Sequence, residues 1–253
     1  MLVNQGRVTE FVVFFAFIVL FAYYYRRFQK NGEFSIRTLP AIETMEQAIG
    51  RATEMGRPVQ YSVPQVGQVD AQSFASVILL GHVAKLCAKF RIPLSVGVGW
   101  QEMYPMAEAT VRSAYTVEGY PEGFRPDTVK FYGTAIHAAV LGDIARDEPA
   151  ANFLIGGLGY ETVLWLEAGA RVGAMQIGGT MNTAQLPFIA AAAEGILIGS
   201  EMFVASAALD PNAGSAASVM ADEVLKKVGL LILCLGSLMA TIGSQTLLTI
   251  LKM

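Results

Sequence analysis

The chain has 253 residues, of which 53% are hydrophobic and only 15% charged, with a mean hydropathy of +0.45. Globular proteins average about 25% charged residues, so this composition belongs to a chain that keeps part of itself out of water. A net charge of −3 excludes the basic surface that a nucleic-acid partner requires, and two cysteines without metal-ligand spacing, Cys87 and Cys234, supply neither a disulfide framework nor a zinc site.

The first apolar run, Phe11 to Tyr25 (FVVFFAFIVLFAYYY), predicts a transmembrane helix over residues 8–27. A secretory signal carries its positive charge before the apolar region and small residues after it. Here three tyrosines close the run and Arg26, Arg27 and Lys30 follow it, so the run reads as a retained anchor. By the positive-inside rule these basic residues place the next segment in the cytoplasm.

Residues 36–185 read as one cytoplasmic domain, long enough for its own core. Strands are expected at Pro58–Val63, Pro93–Val98, Thr128–Tyr132, Asn152–Gly156 and Ala174–Gly178. Helices are expected at Pro40–Met55, Ser73–Phe90, Met103–Glu118, Thr134–Arg146 and Tyr160–Ala170. Strands alternating with helices imply an α/β fold, a parallel Rossmann-like sheet with helices on its faces.

Glycines gather just after three of these strands: Gly97 and Gly99, Gly157 and Gly159, Gly178 and Gly179. Ligands sit at the carboxyl ends of parallel strands, where glycine lets backbone approach them, so these six form an expected ligand rim. The dinucleotide fingerprint is incomplete, because Thr162 occupies its third glycine and Glu161 would repel a phosphate. A nucleophile elbow, a P-loop and a zinc-protease helix are all missing. The two histidines, His82 and His137, lie in small-residue helical patterns that suit packing. Glu102, Glu161 and Glu167 are possible general bases, each with an ordinary capping or solvated role beside it. No cofactor, metal site or catalytic set is identified.

The run Gln185–Leu209 (QLPFIAAAAEGILIGSEMFVASAAL) is long enough to cross a bilayer, which predicts a second transmembrane helix over residues 186–209. Glu194 and Glu201, seven positions apart, would then share one helix face as intramembrane polar residues. Ala192, Gly195, Gly199 and Ser206 would form a small-residue packing face containing a G-x-x-x-G pair. An extracytoplasmic loop over 210–227 and a third transmembrane helix over 228–251 complete the expected topology, although Lys226 and Lys227 then fall on the wrong side.

Two blocks, Ala41–Pro64 and Asn152–Leu209, resemble an uncharacterised family of bacterial and archaeal multi-pass membrane proteins known only as a domain of unknown function. The family pattern places an acid where this chain has Glu194 and a pair of acids where it has Ser200-Glu201. A cysteine precedes the first acid, where Ala193 stands here. The resemblance implies a shared architecture and no activity.

The sequence therefore leads first to an anchored assembly or scaffold protein, self-associating through its spans as a homo-oligomer or as a subunit of a membrane complex. The alternatives are a small-molecule sensor or enzyme using the glycine rim, and proton or cation translocation through Glu194 and Glu201. The bilayer is the expected partner and nucleic acid is not.

Overall fold

The computed structural model describes residues 8–31, 39–64, 69–210 and 213–241. The chain divides into two compact units, Arg37–Asp210 and a second made of Met1–Ile36 with Pro211–Met253.

The larger unit is an α/β domain around a six-stranded parallel sheet. The second unit begins the chain with helix α1 (Val8–Asn31), and the domain then opens with α2 (Pro40–Met55). Next come strand β1 (Val59–Val63), α3 (Ala71–Phe90), β2 (Leu94–Val98) and α4 (Met103–Val117). They are followed by β3 (Val129–Phe131), α5 (Ile136–Asp147), β4 (Ala151–Ile155), α6 (Glu161–Arg171) and β5 (Met175–Thr180). The strands are short apolar runs between turn signals, as parallel strands covered on both faces must be. Proline begins α2 and left-handed Gly56 ends it, which punctuates the chain before β1. All five expected strands and all five expected helices form, within a few residues at their ends.

With β6 (Gly195–Ile198) as the last strand, the sheet order is β3-β2-β1-β4-β5-β6, the doubly wound Rossmann-like order with its switch point between β1 and β4. One face carries the main core, in which α2, α3 and α4 pack on Val59, Tyr61, Val96, Phe153 and Ile155. The other carries a smaller core in which α5 and α6 enclose Leu154 with Val140, Ile144 and Trp165. Beneath that second core runs a polar row in register, Ser95, Gln60, Asn152 and Gln176.

The expected second transmembrane helix does not form. Residues 186–209 fold as helix α7 (Leu186–Ala192), strand β6 (Gly195–Ile198) and helix α8 (Glu201–Leu209), and β6 is the sixth strand of the sheet, paired with β5. Burial in a protein core and burial in lipid demand the same apolar composition, so hydropathy alone does not separate them. The breaks are set by Glu194 and Gly199: the first sits just before β6, and the second turns out of it at φ +57°. The acids are consequently not on one helix face, and the small-residue stripe is not a helix surface. Ala192 ends α7, Gly195 opens β6 against Thr44 of α2, Gly199 is a turn, and Ser206 lies in α8.

In the smaller unit, α1 packs on helix α9 (Ala213–Thr241). The expected loop at 210–227 is also corrected, because residues 213–227 continue into α9 as helix. Alanine-rich sequence without an internal proline favours that outcome. Of the expected third span, 228–241 is helical and 242–251 lies outside the described residues. Among the described residues two helical stretches are long and apolar enough to cross a membrane, Glu10–Lys30 of α1 and the whole of α3. They differ in kind, since the α1 window is 0% buried while that of α3 is 61% buried in the domain.

Candidate functional site

In a parallel sheet every helix that follows a strand begins at the carboxyl edge, so helix starts converge there. His137 is the second residue of α5 and Glu161 the first of α6, and these two helices flank the switch point on the face of the smaller core. The loop between β4 and α6, Gly156 to Tyr160, runs along the same edge. Gly156 takes φ +134°, where a side chain is strained, and its missing Cβ would lie 3.3 Å from Pro64 at the end of β1. The crossing from β4 to α6 is thus held tightly against the end of β1.

Glu161 is 0% exposed. Its Oε1 accepts the Gly159 amide at 2.8 Å, whereas Oε2 is buried without a hydrogen-bond partner. Oε2 lies 3.9 Å from His137 Nδ1, also buried and without a partner. That separation exceeds a hydrogen bond, although a rotation of about 1 Å closes it, a looseness common in acid–base pairs before ligand arrives. The His137 ring lies 4.7 Å from that of Tyr160, and its carbonyl accepts Trp165 Nε1–H at 3.2 Å. Tyr160 is 69% exposed, which gives the group one open aromatic wall. Leaving two buried polar atoms unmatched costs free energy unless something completes them.

The helix starts at this edge resist phosphate. Asp70 caps α3 in a reciprocal box, accepting the Ser73 amide at 3.1 Å, and Glu161 brings a carboxylate into the first turn of α6, where it bonds the Gly159 amide just before the helix. Each places a carboxylate where a pyrophosphate would need bare backbone N–H groups.

The glycines of the expected rim divide. Gly97 leaves room for Val140 and Tyr132, Gly178 for Ile189, and Gly179 for Leu197, so three of them admit the domain's own side chains. Gly99, Gly157 and Gly159 are buried in the loops at the carboxyl edge. Glu102 and Glu167 are exposed, the latter paired with Arg171 at 2.6 Å, which leaves Glu161 as the buried carboxylate of the three. Glu194 and Glu201 serve backbone: Glu194 Oε2 accepts the Gln176 amide at 2.7 Å and Glu201 Oε2 accepts that of Ile198 at 3.1 Å. Nothing in the spacing of His137 and Glu161 signals their pairing, since they lie on separate helices and only the strand order joins them.

A second buried acid, Asp143 of α5, is fully occupied. It accepts from Tyr132 Oη, from Arg146 at 2.6 Å and from Lys130 at 3.2 Å. Burial raises its carboxyl pKa, but these hydrogen bonds and the Lys130 charge outweigh it and hold the group below the ordinary value. This cluster locks β3 to α5 and positions the start of α5. Among the described residues no group of three or more His, Cys, Asp or Glu converges as a metal site. Cys87 is free and buried, and Cys234 is free and exposed on α9.

No curated protein and no solved structure matches the chain. A family model matches residues 1–251, and the chain belongs to that family, described as a domain of unknown function (DUF6754).

Proposed function

We propose that this is a membrane-anchored ligand-binding protein whose α/β domain recognises a small, unphosphorylated, hydrogen-bond-donating molecule at the switch-point end of the sheet. The observation that carries the reading is the buried Glu161 carboxylate with its unmatched Oε2 facing His137. With Nδ1 turned toward Glu161, Nε2 is the ring nitrogen left to accept a proton or hydrogen bond from a ligand hydroxyl or amine. Tyr160 offers an aromatic surface beside it. Carboxylates at the starts of α3 and α6 argue against nucleotides.

The test is thermal unfolding of the full-length protein against a panel of unphosphorylated amines and polyols, with NAD and ATP as phosphorylated controls. Members of the first group should raise the midpoint, and His137→Gln and Glu161→Gln should each abolish that rise. Stabilisation by NAD or ATP that persists in His137→Gln would sink the reading.

Self-assembly through the spans is the second reading, and less supports it. The Gly195–Gly199 pair belongs to a strand and a turn and offers no helix-packing face. What remains is the exposed apolar surface of α1 and of α9 beyond Val228, and a bilayer covers such a surface without any second copy.

A further inference from the structure

A cavity lies on the face of the domain opposite the His137–Glu161 site. Helices α3 and α4 both return from the carboxyl to the amino edge of the sheet, so they run in the same direction. They meet at Gly81, whose absent Cβ would stand 3.0 Å from Thr110 Cγ2. Around this close approach they leave a cavity of about 500 Å³, within the size range of small-molecule sites. Leu209 and Asp210, the residues at which the chain leaves the domain, form its third wall.

The chemistry along the α3 wall is ordered. Phe74, Ile78, His82 and Lys85 recur at helical spacing and line the cavity as aromatic, aliphatic, imidazole and ammonium in turn. Because Gly81 faces Thr110, Met106 stands one turn earlier on α4, at the apolar end. Phe74 is 45% and Met106 39% exposed, so this end carries an uncovered apolar surface. At the other end His82 Nε2 is buried without a hydrogen-bond partner, and Lys85 makes no ion pair among the described residues. Burial and the nearby Lys85 lower the His82 pKa, partly offset by Glu46, which favours the uncharged ring. Asp210 is the one carboxylate on the wall and opposes the attraction of Lys85 for an anion.

We propose that this cavity binds a single-chain anionic amphiphile, a fatty-acid-like carboxylate, with its chain along Phe74, Ile78 and Met106 and its acid group between His82 and Lys85. The order of groups matches such a molecule end to end, and the match is independent of the His137–Glu161 site.

Decanoate is the probe, tested on the full-length protein held in amphipols, with decanol and decyltrimethylammonium as uncharged and cationic analogues. Decanoate should raise the unfolding midpoint, decanol should bind about tenfold more weakly, and the ammonium should not bind, as expected for loss of one charge-assisted contact. Lys85→Gln, at an exposed position, should weaken decanoate about tenfold and leave decanol unchanged, while His137→Gln should alter neither. Ala109→Trp, which fills the cavity from α4, should abolish both. Should that variant fail to fold, a diazirine-bearing decanoate must label peptides of α3 or α4 and be displaced by decanoate. Equal binding of decanoate and decanol, indifference to Lys85→Gln, or labelling elsewhere would overturn the assignment.

Discussion

Gly178 shows how one residue carries two different arguments. In sequence it follows an apolar strand and reads as a place where backbone meets ligand. In the fold its missing Cβ is the space that Ile189 of α7 fills, since an added methyl would lie 2.4 Å from Ile189 Cγ2. Ile189 is 0% exposed and has nowhere to retreat without disturbing the smaller core. Gly178→Ala should therefore cost about 1–3 kcal/mol in denaturant unfolding, the usual range for an overpacked core. The same change in an Ile189→Ala background should cost distinctly less, because the colliding methyl is gone. Equal costs in the two backgrounds would leave Gly178 without its packing role. His137 and Glu161 show the converse. Each taken alone in the sequence is a packed histidine and a first-turn cap, and only their proximity gives them chemistry.

At the scale of elements, the informative segment is 186–209. Its apolar run was legible, and so was the oddity of two acids inside it. What the run becomes depends on which surface waits to receive it. β5 presents an edge of unpaired backbone groups, and β6 satisfies them while its two flanking acids bond the amides of Gln176 and Ile198. A bilayer would offer neither partner. The two readings separate cleanly by truncation. A fragment of residues 37–210 should be soluble without detergent and unfold cooperatively, since both cores lie inside it. A fragment ending at residue 185 should aggregate, because it exposes the β5 edge and removes Ile189 and Leu197 from the cores. If the longer fragment needs detergent and the shorter one does not, the helix–strand–helix assignment fails.

At the scale of the whole molecule, the loss of the expected second span bears on the charge pattern. With three spans, Lys226 and Lys227 fall outside the membrane, against the positive-inside rule. On the reading proposed above, with anchoring by the exposed apolar surfaces of α1 and α9, both basic clusters lie in sequence on the domain side of those surfaces: Arg26, Arg27 and Lys30 after the first, Lys226 and Lys227 before the second. The proposed arrangement is thus a cytoplasmic domain inserted between two anchors. It predicts that Asp127→Cys, at an exposed site in the loop before β3, reacts with a membrane-impermeant maleimide only after cells are permeabilised. Cys234→Ser as background removes the exposed native thiol. Labelling of intact cells would reverse the orientation.

The sequence by itself determined the local elements: five strands and five helices of the domain, the apolar helix α1, and the parallel α/β class. These follow from short-range causes, namely apolar periodicity, proline and glycine punctuation, and the alternation of the two element types. The tertiary structure decided everything that depends on what lies opposite a residue. It made 186–209 part of a sheet, turned Gly97, Gly178 and Gly179 into packing sites, and brought His137 to Glu161. The physical reason is that dehydration is non-directional: an apolar run records that a segment leaves water, and only its partners record whether lipid or protein receives it.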